Sequence, residues 1–225
     1  MSSGPALTST SYAILGLLAV KPWTTHELVR QVDFSLRRIW PRARSKLYEE
    51  PKKLAAHGLA RAADDSIGRR ARTRYSITPK GRRALAAWLR EPGEGPSLEF
   101  EQLLKITFAD SGTKADILAN LGATLEWTRA ESEDNLVAVR AYRSGEGAFP
   151  ERAALNQLGG VFLTDFYLMV ARWAQWATTV VETWPDDPRE ATIDLDVQNQ
   201  ALRRAEITAT IGLETPRRKV GTDPS

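Results

Sequence analysis

The run YAILGLLAV at residues 12–20 is apolar almost without interruption, the pattern of a helix covered on every side. Thr8 or Ser9 stands where its cap is wanted, and Lys21-Pro22-Trp23 stops it, because a proline disfavours helical dihedrals in the residue before it. Thr24 or Thr25 then caps a second helix, with Leu28, Val29 and Val32 at helical spacing and an end near Phe34. Beyond a connecting segment, Leu47, Leu54 and Leu59 recur so that one face of a third helix packs inward, while Arg44, Ser45, Tyr48, Lys52 and His57 turn outward. Two short strands are expected at residues 59–63 and 73–78, separated by Asp65-Ser66-Ile67-Gly68, whose Asp and Gly suit a hairpin turn. Thr78-Pro79-Lys80-Gly81 supplies a cap with proline at the first helical position, and the helix that follows carries Leu85, Trp88 and Leu89. Three helices, a two-stranded wing and a linking helix make a winged helix-turn-helix.

The stretch from Glu91 to Pro96, EPGEGP, concentrates Pro and Gly and reads as a linker. A first domain is therefore expected over residues 1–92 and a second over 97–211. In the second, Ser97 is expected to cap a helix carrying Phe100, Leu103, Leu104 and Phe108, which Ser111-Gly112 breaks. Thr113 and Asp116 have capping-box spacing and open a long helix to about Ser144, striped by Ile117, Leu121, Leu125, Thr128, Leu136 and Val139. Gly145 and Gly147 turn the chain into another long helix, expected over 150–184, bearing Leu155, Leu158, Phe162, Phe166, Met169, Trp173, Val180 and Trp184. Pro185 and Pro188 stop it; a last helix is expected over 189–211, ended by Gly212, and residues 212–225 as a disordered tail. The fold class is mainly α: a winged helix-turn-helix followed by an all-helical domain whose long amphipathic helices call for a helical partner.

Charge sharpens this division. The chain is 225 residues long with a net charge of only +3, but residues 1–92 hold 18 Lys and Arg against 7 Asp and Glu, and the remainder 13 against 21. A basic first domain joined to an acidic second one points the first alone at nucleic acid. Arg42, Arg44, Lys46, Lys52, Lys53 and Arg61 precede the expected hairpin turn, and Arg69, Arg70, Arg72 and Arg74 follow it, a footprint suited to phosphate. The residues expected to approach DNA are Arg42, Arg44, Ser45, Lys46, Tyr48, Lys52 and Lys53 on the third helix and Arg69, Arg70 and Arg72 on the wing, with Arg44, Ser45 and Tyr48 as candidates for base edges.

Aromatic residues single out the acidic half. Trp127, Phe166, Trp173 and Trp176 either build the core and a dimer seam or line a site where a planar or cationic effector stacks. Catalysis finds little support. His26 and His57 are the only histidines and lack partners at triad or metal-ligand spacing, there is no phosphate-binding loop, and no cofactor is expected. Without cysteine there is neither a disulfide framework nor a thiolate metal site, and the apolar run is too short to span a bilayer. A cytoplasmic protein with double-stranded DNA as its partner and no membrane attachment is expected. The alternative is a winged-helix protein-interaction module, or a non-specific nucleic-acid binder without operator readout.

Several of these residues together resemble PadR-like transcriptional regulators. The resemblance rests on SYAILGLLA in the first helix, on Tyr48, Lys52-Lys53, Leu54 and Gly58-Leu59, on Tyr75-Ser-Ile-Thr-Pro-Lys-Gly81, and on Leu85 with Trp88-Leu89. It covers residues 8–90 strongly and 97–184 in outline. It implies a homodimer that binds a pseudo-palindromic operator, commonly as a repressor, and leaves it when a small effector binds. His26 departs slightly from the family pattern, and Pro51 departs more, standing where a leucine is usual. Proline inside a helix lacks a donor and clashes with the carbonyl four residues back, here Leu47, at about 3 kcal/mol. A kink near Leu47–Tyr48 or a late helix start near Glu49 is expected.

Overall fold

The computed structural model describes residues 7–41, 44–65 and 72–211, and for Arg44 and Ser45 the backbone alone. The chain divides into two compact units, Met1–Pro96 and Ser97–Ser225.

In the first unit, α1 (Ser9–Val20) is opened by a reciprocal cap: the Ser11 amide donates to Thr8 Oγ1 and the Thr8 amide to Ser11 Oγ. Ile14, Leu15 and Leu18 are buried. The residues that end this helix do more than stop it. Trp23 and Thr24 form a short strand, β1 (Trp23–Thr24), so the sheet has three strands rather than the two expected. Two residues carry no periodicity for a sequence pattern to reveal. What makes them a strand is tertiary: Trp23 lies opposite Tyr75, both side chains are buried, and the indole N–H donates to the Leu17 carbonyl at 2.8 Å. Thr24 also caps α2 (Thr25–Ser35) through a capping box with Glu27, which buries Leu28, Val29 and Val32.

The third helix, α3 (Arg44–Ala56), carries Pro51 inside it, so the expected late start near Glu49 is overturned. Packing on both sides of the proline explains its tolerance. Leu47, Pro51 and Leu54 are all fully buried, and burial of each such side chain contributes roughly 1.5–3 kcal/mol, enough to offset the lost backbone bond. Glu50 adds a polar anchor, accepting a hydrogen bond from the Ser11 hydroxyl on α1 while nearly all its surface is covered. Glu50→Ala leaves the Ser11 hydroxyl only the longer contact to the Thr8 hydroxyl at 3.3 Å and is expected to destabilise the protein by about 1 kcal/mol. The double variant Ser11→Ala/Glu50→Leu, which removes both polar partners, is expected to recover part of this in urea denaturation. An unchanged midpoint for Glu50→Ala would dispose of the anchor.

At the end of α3, Gly58 takes φ +70°, and the amides of Gly58 and Leu59 donate to the carbonyls of Ala55 and Leu54, the bond pair of a Schellman cap. The chain then enters β2 (Ala60–Asp64), antiparallel to β3 (Thr73–Ile77) with Ala60 opposite Ile77 and Asp64 opposite Thr73. The order in the sheet is β1-β3-β2. Asp65, expected in the turn, follows the last residue of β2, and its amide donates to the Arg72 carbonyl at 2.8 Å across the hairpin. Ser66, Ile67 and Gly68 lie outside the described residues. Helix α4 (Pro79–Trp88) follows, capped by Thr78 with Pro79 at its first position. Trp88 stacks on Tyr12 with centroids 4.8 Å apart, whereas Leu89, expected on the same inward face, is exposed.

The second unit opens with α5 (Glu101–Thr107), which has no side-chain cap. The cap expected from Ser97 does not form, because residues 97–100 are not helical and Phe100 packs its ring edge-on against Trp173 at 5.9 Å. Helix α6 (Lys114–Arg143) begins with the expected capping box between Thr113 and Asp116. Helix α7 (Ala153–Glu182) starts after a 3-10 turn at Pro150–Arg152 and runs antiparallel to α6. Lys114 at the start of α6 donates to the carbonyls of Glu182 and Trp184, and further along Asn135 meets Thr164 and Tyr142 meets Asn156. The core between them is Ile117, Leu121, Ala174 and Val181. Leu136 and Val139, expected in the inward stripe of α6, are exposed, as are Leu155, Leu158, Phe162 and Met169 on α7. Helix α8 (Leu195–Thr210) starts later than residue 189, because Asp194 caps the amides of Asp196 and Val197. Gly212 and the expected tail lie outside the described residues. No described helix is long and apolar enough to cross a membrane.

Candidate nucleic-acid interface

Leu47, Glu50, Pro51 and Leu54 turn one side of α3 into the core, which leaves Lys46, Tyr48, Glu49, Lys52, Lys53 and His57 exposed on the other. This is the consequence of a 3.6-residue period on a helix with one buried stripe. Tyr48 keeps 42% of its surface, so its ring is neither core nor wholly free. The backbone of Arg44 and Ser45 forms the first turn of α3, where unpaired N–H groups and the helix dipole favour negative charge. Arg42 lies outside the described residues.

On the wing, Arg72 and Arg61 are exposed, while Arg69 and Arg70 lie outside the described residues. Arg74 differs from its neighbours. Its guanidinium clasps Asp65 through two nitrogens at 3.0 and 2.7 Å, and its remaining nitrogen reaches the Pro22 carbonyl at 3.3 Å and Glu27 at 3.4 Å. Hydrogen bonding to Asp65 raises the Arg74 pKa above its ordinary value, and the side chain ties β3 to the start of α2 rather than joining the cationic footprint. Glu27 is held below its ordinary 4.5, first by the Thr24 amide and to a smaller degree by Arg74. A depressed carboxylate adds stability above its ordinary pKa, and that stability is lost as pH falls through the lower folded-state value. Lys80 is also committed, donating to the His57 carbonyl at 2.9 Å and pinning α4 to the end of α3.

The aromatic residues of the second unit fall into two groups. Trp127 meets Phe166 edge to face at 6.4 Å and Tyr167 at 5.8 Å, and Phe162 stacks on Phe166. Tyr167, one of the aromatic residues that the sequence loads into this half, is buried at the centre of this group and donates to Glu131 at 3.3 Å. Trp173 instead joins Phe100 and the Ile117–Leu121 core, and Trp176 is exposed. A polar depression lined by Asp110, Thr113, Asp186, Asp187 and Arg189 is largely self-satisfied, since Arg189 bonds Asp187 at 2.6 Å and holds its carboxyl down at about 2. Among the described residues no group of three His, Cys, Asp or Glu is placed to hold a metal.

No protein-family model matches the sequence, and no curated protein does. Solved structures do. Bacillus subtilis PadR in complex with operator DNA is similar at a TM-score of 0.69 and 20% identity, over 77% of this chain and 99% of that one. A PadR-like transcriptional regulator from Bacillus cereus is similar at 0.65 and 16%, over 77% and 98%. Bacillus subtilis PadR in complex with p-coumaric acid is similar at 0.62 and 18%, over 80% and 99%. The chain therefore has the fold of these proteins, a winged helix followed by a helical domain.

Proposed function

We propose that this chain is a PadR-like, sequence-specific DNA-binding transcriptional regulator and not an enzyme. The observation that carries the reading is the exposed face of α3, where Lys46, Tyr48, Lys52 and Lys53 surround a helix built and supported as a recognition helix. That PadR of the same fold is bound to operator DNA supports it. Arg42, Arg44, Ser45, Lys46, Tyr48, Lys52 and Lys53 approach one major groove, and Arg69, Arg70 and Arg72 reach the flanking phosphates or minor groove. The protein acts in the cytoplasm as a homodimer on a pseudo-palindromic operator, residues 1–92 binding DNA and residues 97–211 forming the dimer.

It acts as a repressor that a small aromatic or cationic effector releases. The p-coumaric acid complex of PadR supports an effector of aromatic type. The edge-to-face group of Trp127 and Phe166, with Trp173 and Trp176 further along α7, offers flat surfaces against which such a ligand can stack.

The test is binding to the DNA upstream of the chain's own gene beside a scrambled duplex of equal length, at low and near-physiological salt. Preference retained at the higher salt is expected, and equal, salt-sensitive binding to both would leave only a basic patch. In the same titration Lys52→Ala is expected to weaken binding to both duplexes and to flatten the plot of log K against log salt by about 0.9, the share of one phosphate contact. An unaltered slope would remove Lys52 from the interface.

A further inference from the structure

Viewed down the axis of α3, the line directly opposite the buried Leu47, Pro51 and Leu54 is held not by a cation but by Glu49. Lys52 and Tyr48 stand to one side of it, Lys46 and Lys53 to the other, all exposed. A helix seated in a major groove presents its most outward line to the base edges and its flanks to the two phosphate backbones. The flanking lysines suit phosphate; a carboxylate at the centre does not, because phosphate repels it.

Its partner at that depth must be a hydrogen-bond donor. In the major groove the donors are the amino groups of cytosine and adenine, and adenine sets its own acceptor, N7, beside the amino group, which disfavours an anion there. Cytosine carries no acceptor of its own on that edge, and its N4 is the amino group that Glu and Asp ordinarily accept from. In the free protein Glu49 faces Lys53 at 3.9 Å, with side chains 68% and 61% exposed. Pairs this exposed contribute little, so DNA can separate them at small cost, taking Lys53 to a phosphate and leaving Glu49 to the base.

We infer that Glu49 is a specificity-determining residue that reads cytosine through its N4 amino group. This rests on the DNA-binding reading above. The experiment is selection of bound duplexes from a randomised pool at near-physiological salt by the full-length wild type, Glu49→Ala and Glu49→Gln. The wild type is expected to select a site with a fixed cytosine. Glu49→Ala is expected to lose preference at that one position by roughly tenfold, with the other positions kept. Glu49→Gln is expected to move the preference there towards adenine, which glutamine can bond at both N6 and N7. Identical consensus sequences for all three proteins would overturn the inference and leave the DNA-binding reading intact. So would uniformly tighter binding of every sequence by Glu49→Ala, which would make Glu49 a repulsive charge only. Failure of the wild type to enrich any sequence would overturn both.

Discussion

Gly81→Ala is expected to destabilise the winged-helix unit by about 3 kcal/mol, although alanine is the better helix former. A Cβ at this position would lie 2.1 Å from the Leu59 carbonyl oxygen, 3.1 Å from its carbon and 2.9 Å from Ile77 Cγ1. The isoleucine can move, but the carbonyl cannot. It accepts the Thr78 amide at 3.1 Å and lies 3.1 Å from the Thr78 hydroxyl, and Leu59 itself closes the cap of α3 and leads into β2. Relieving the clash therefore means separating α4 from the junction of recognition helix and wing. Replacing a helical glycine that has room returns only about 0.5–1 kcal/mol, whereas overpacking against fixed backbone costs about 3 kcal/mol or more. That is a large share of the ~5–15 kcal/mol by which a domain is stable. Gly16→Ala in α1, where nothing lies within 4 Å of the added carbon, is the control and is expected to stabilise slightly. Urea denaturation followed by circular dichroism separates the two. A Gly81→Ala protein as stable as wild type would mean that this close approach does not exist.

The contrast between these two glycines also marks what could be read from the chain in advance. The caps at Thr8, Thr24, Thr78 and Thr113 form where they were expected, because a cap is a bond between residues three apart and its chemistry is local. What depends on distant partners was not legible. Glu50 reads as one more charge on a charged helix until Ser11, 39 residues away, is seen to bond it. Arg74 reads as one more cation of the wing until Asp65 and Glu27 are found around it. Pro51 looks like a helix breaker because a propensity argument has no access to the burial of Leu47 and Leu54. In α7, Tyr167, Val170, Ala174 and Val181 face inward, although Leu155, Leu158 and Phe162 are as apolar. A helix apolar all round gives sequence patterning no means of choosing its core face. The start of α8 is the exception, since Asp194 followed by a helical run was a readable cap that was passed over.

The face of α7 left uncovered carries the other large expectation. Leu155, Leu158, Phe162, Met169 and Trp176 repeat at spacings of three, four and seven residues and remain 63, 71, 59, 55 and 47% exposed, a stripe of the period by which helices pair along a seam. Soluble monomers rarely leave so extended an apolar stripe in water; in the proposed dimer a second copy covers it. Phe162→Glu and, independently, Leu158→Glu are then expected to give a monomeric mass by light scattering with helical ellipticity retained, since both side chains lie outside the buried core of α6 and α7. Operator affinity is expected to fall by ~10²–10⁴, because two half-sites bound by linked modules gain that factor from effective concentration and separated ones lose it. Phe162→Lys provides the sharper control. Alone it should also be monomeric; an isologous interface pairs residue i with j and j with i, and a residue with its own counterpart only at the two-fold axis, so recovery of the dimer mass and operator affinity on mixing with Phe162→Glu would place residue 162 at that axis, and no recovery would place it away from the axis. Dimers that persist in Phe162→Glu and Leu158→Glu would move the seam away from this face of α7, and a wild type that is itself monomeric at micromolar concentration would remove the dimer from the proposal.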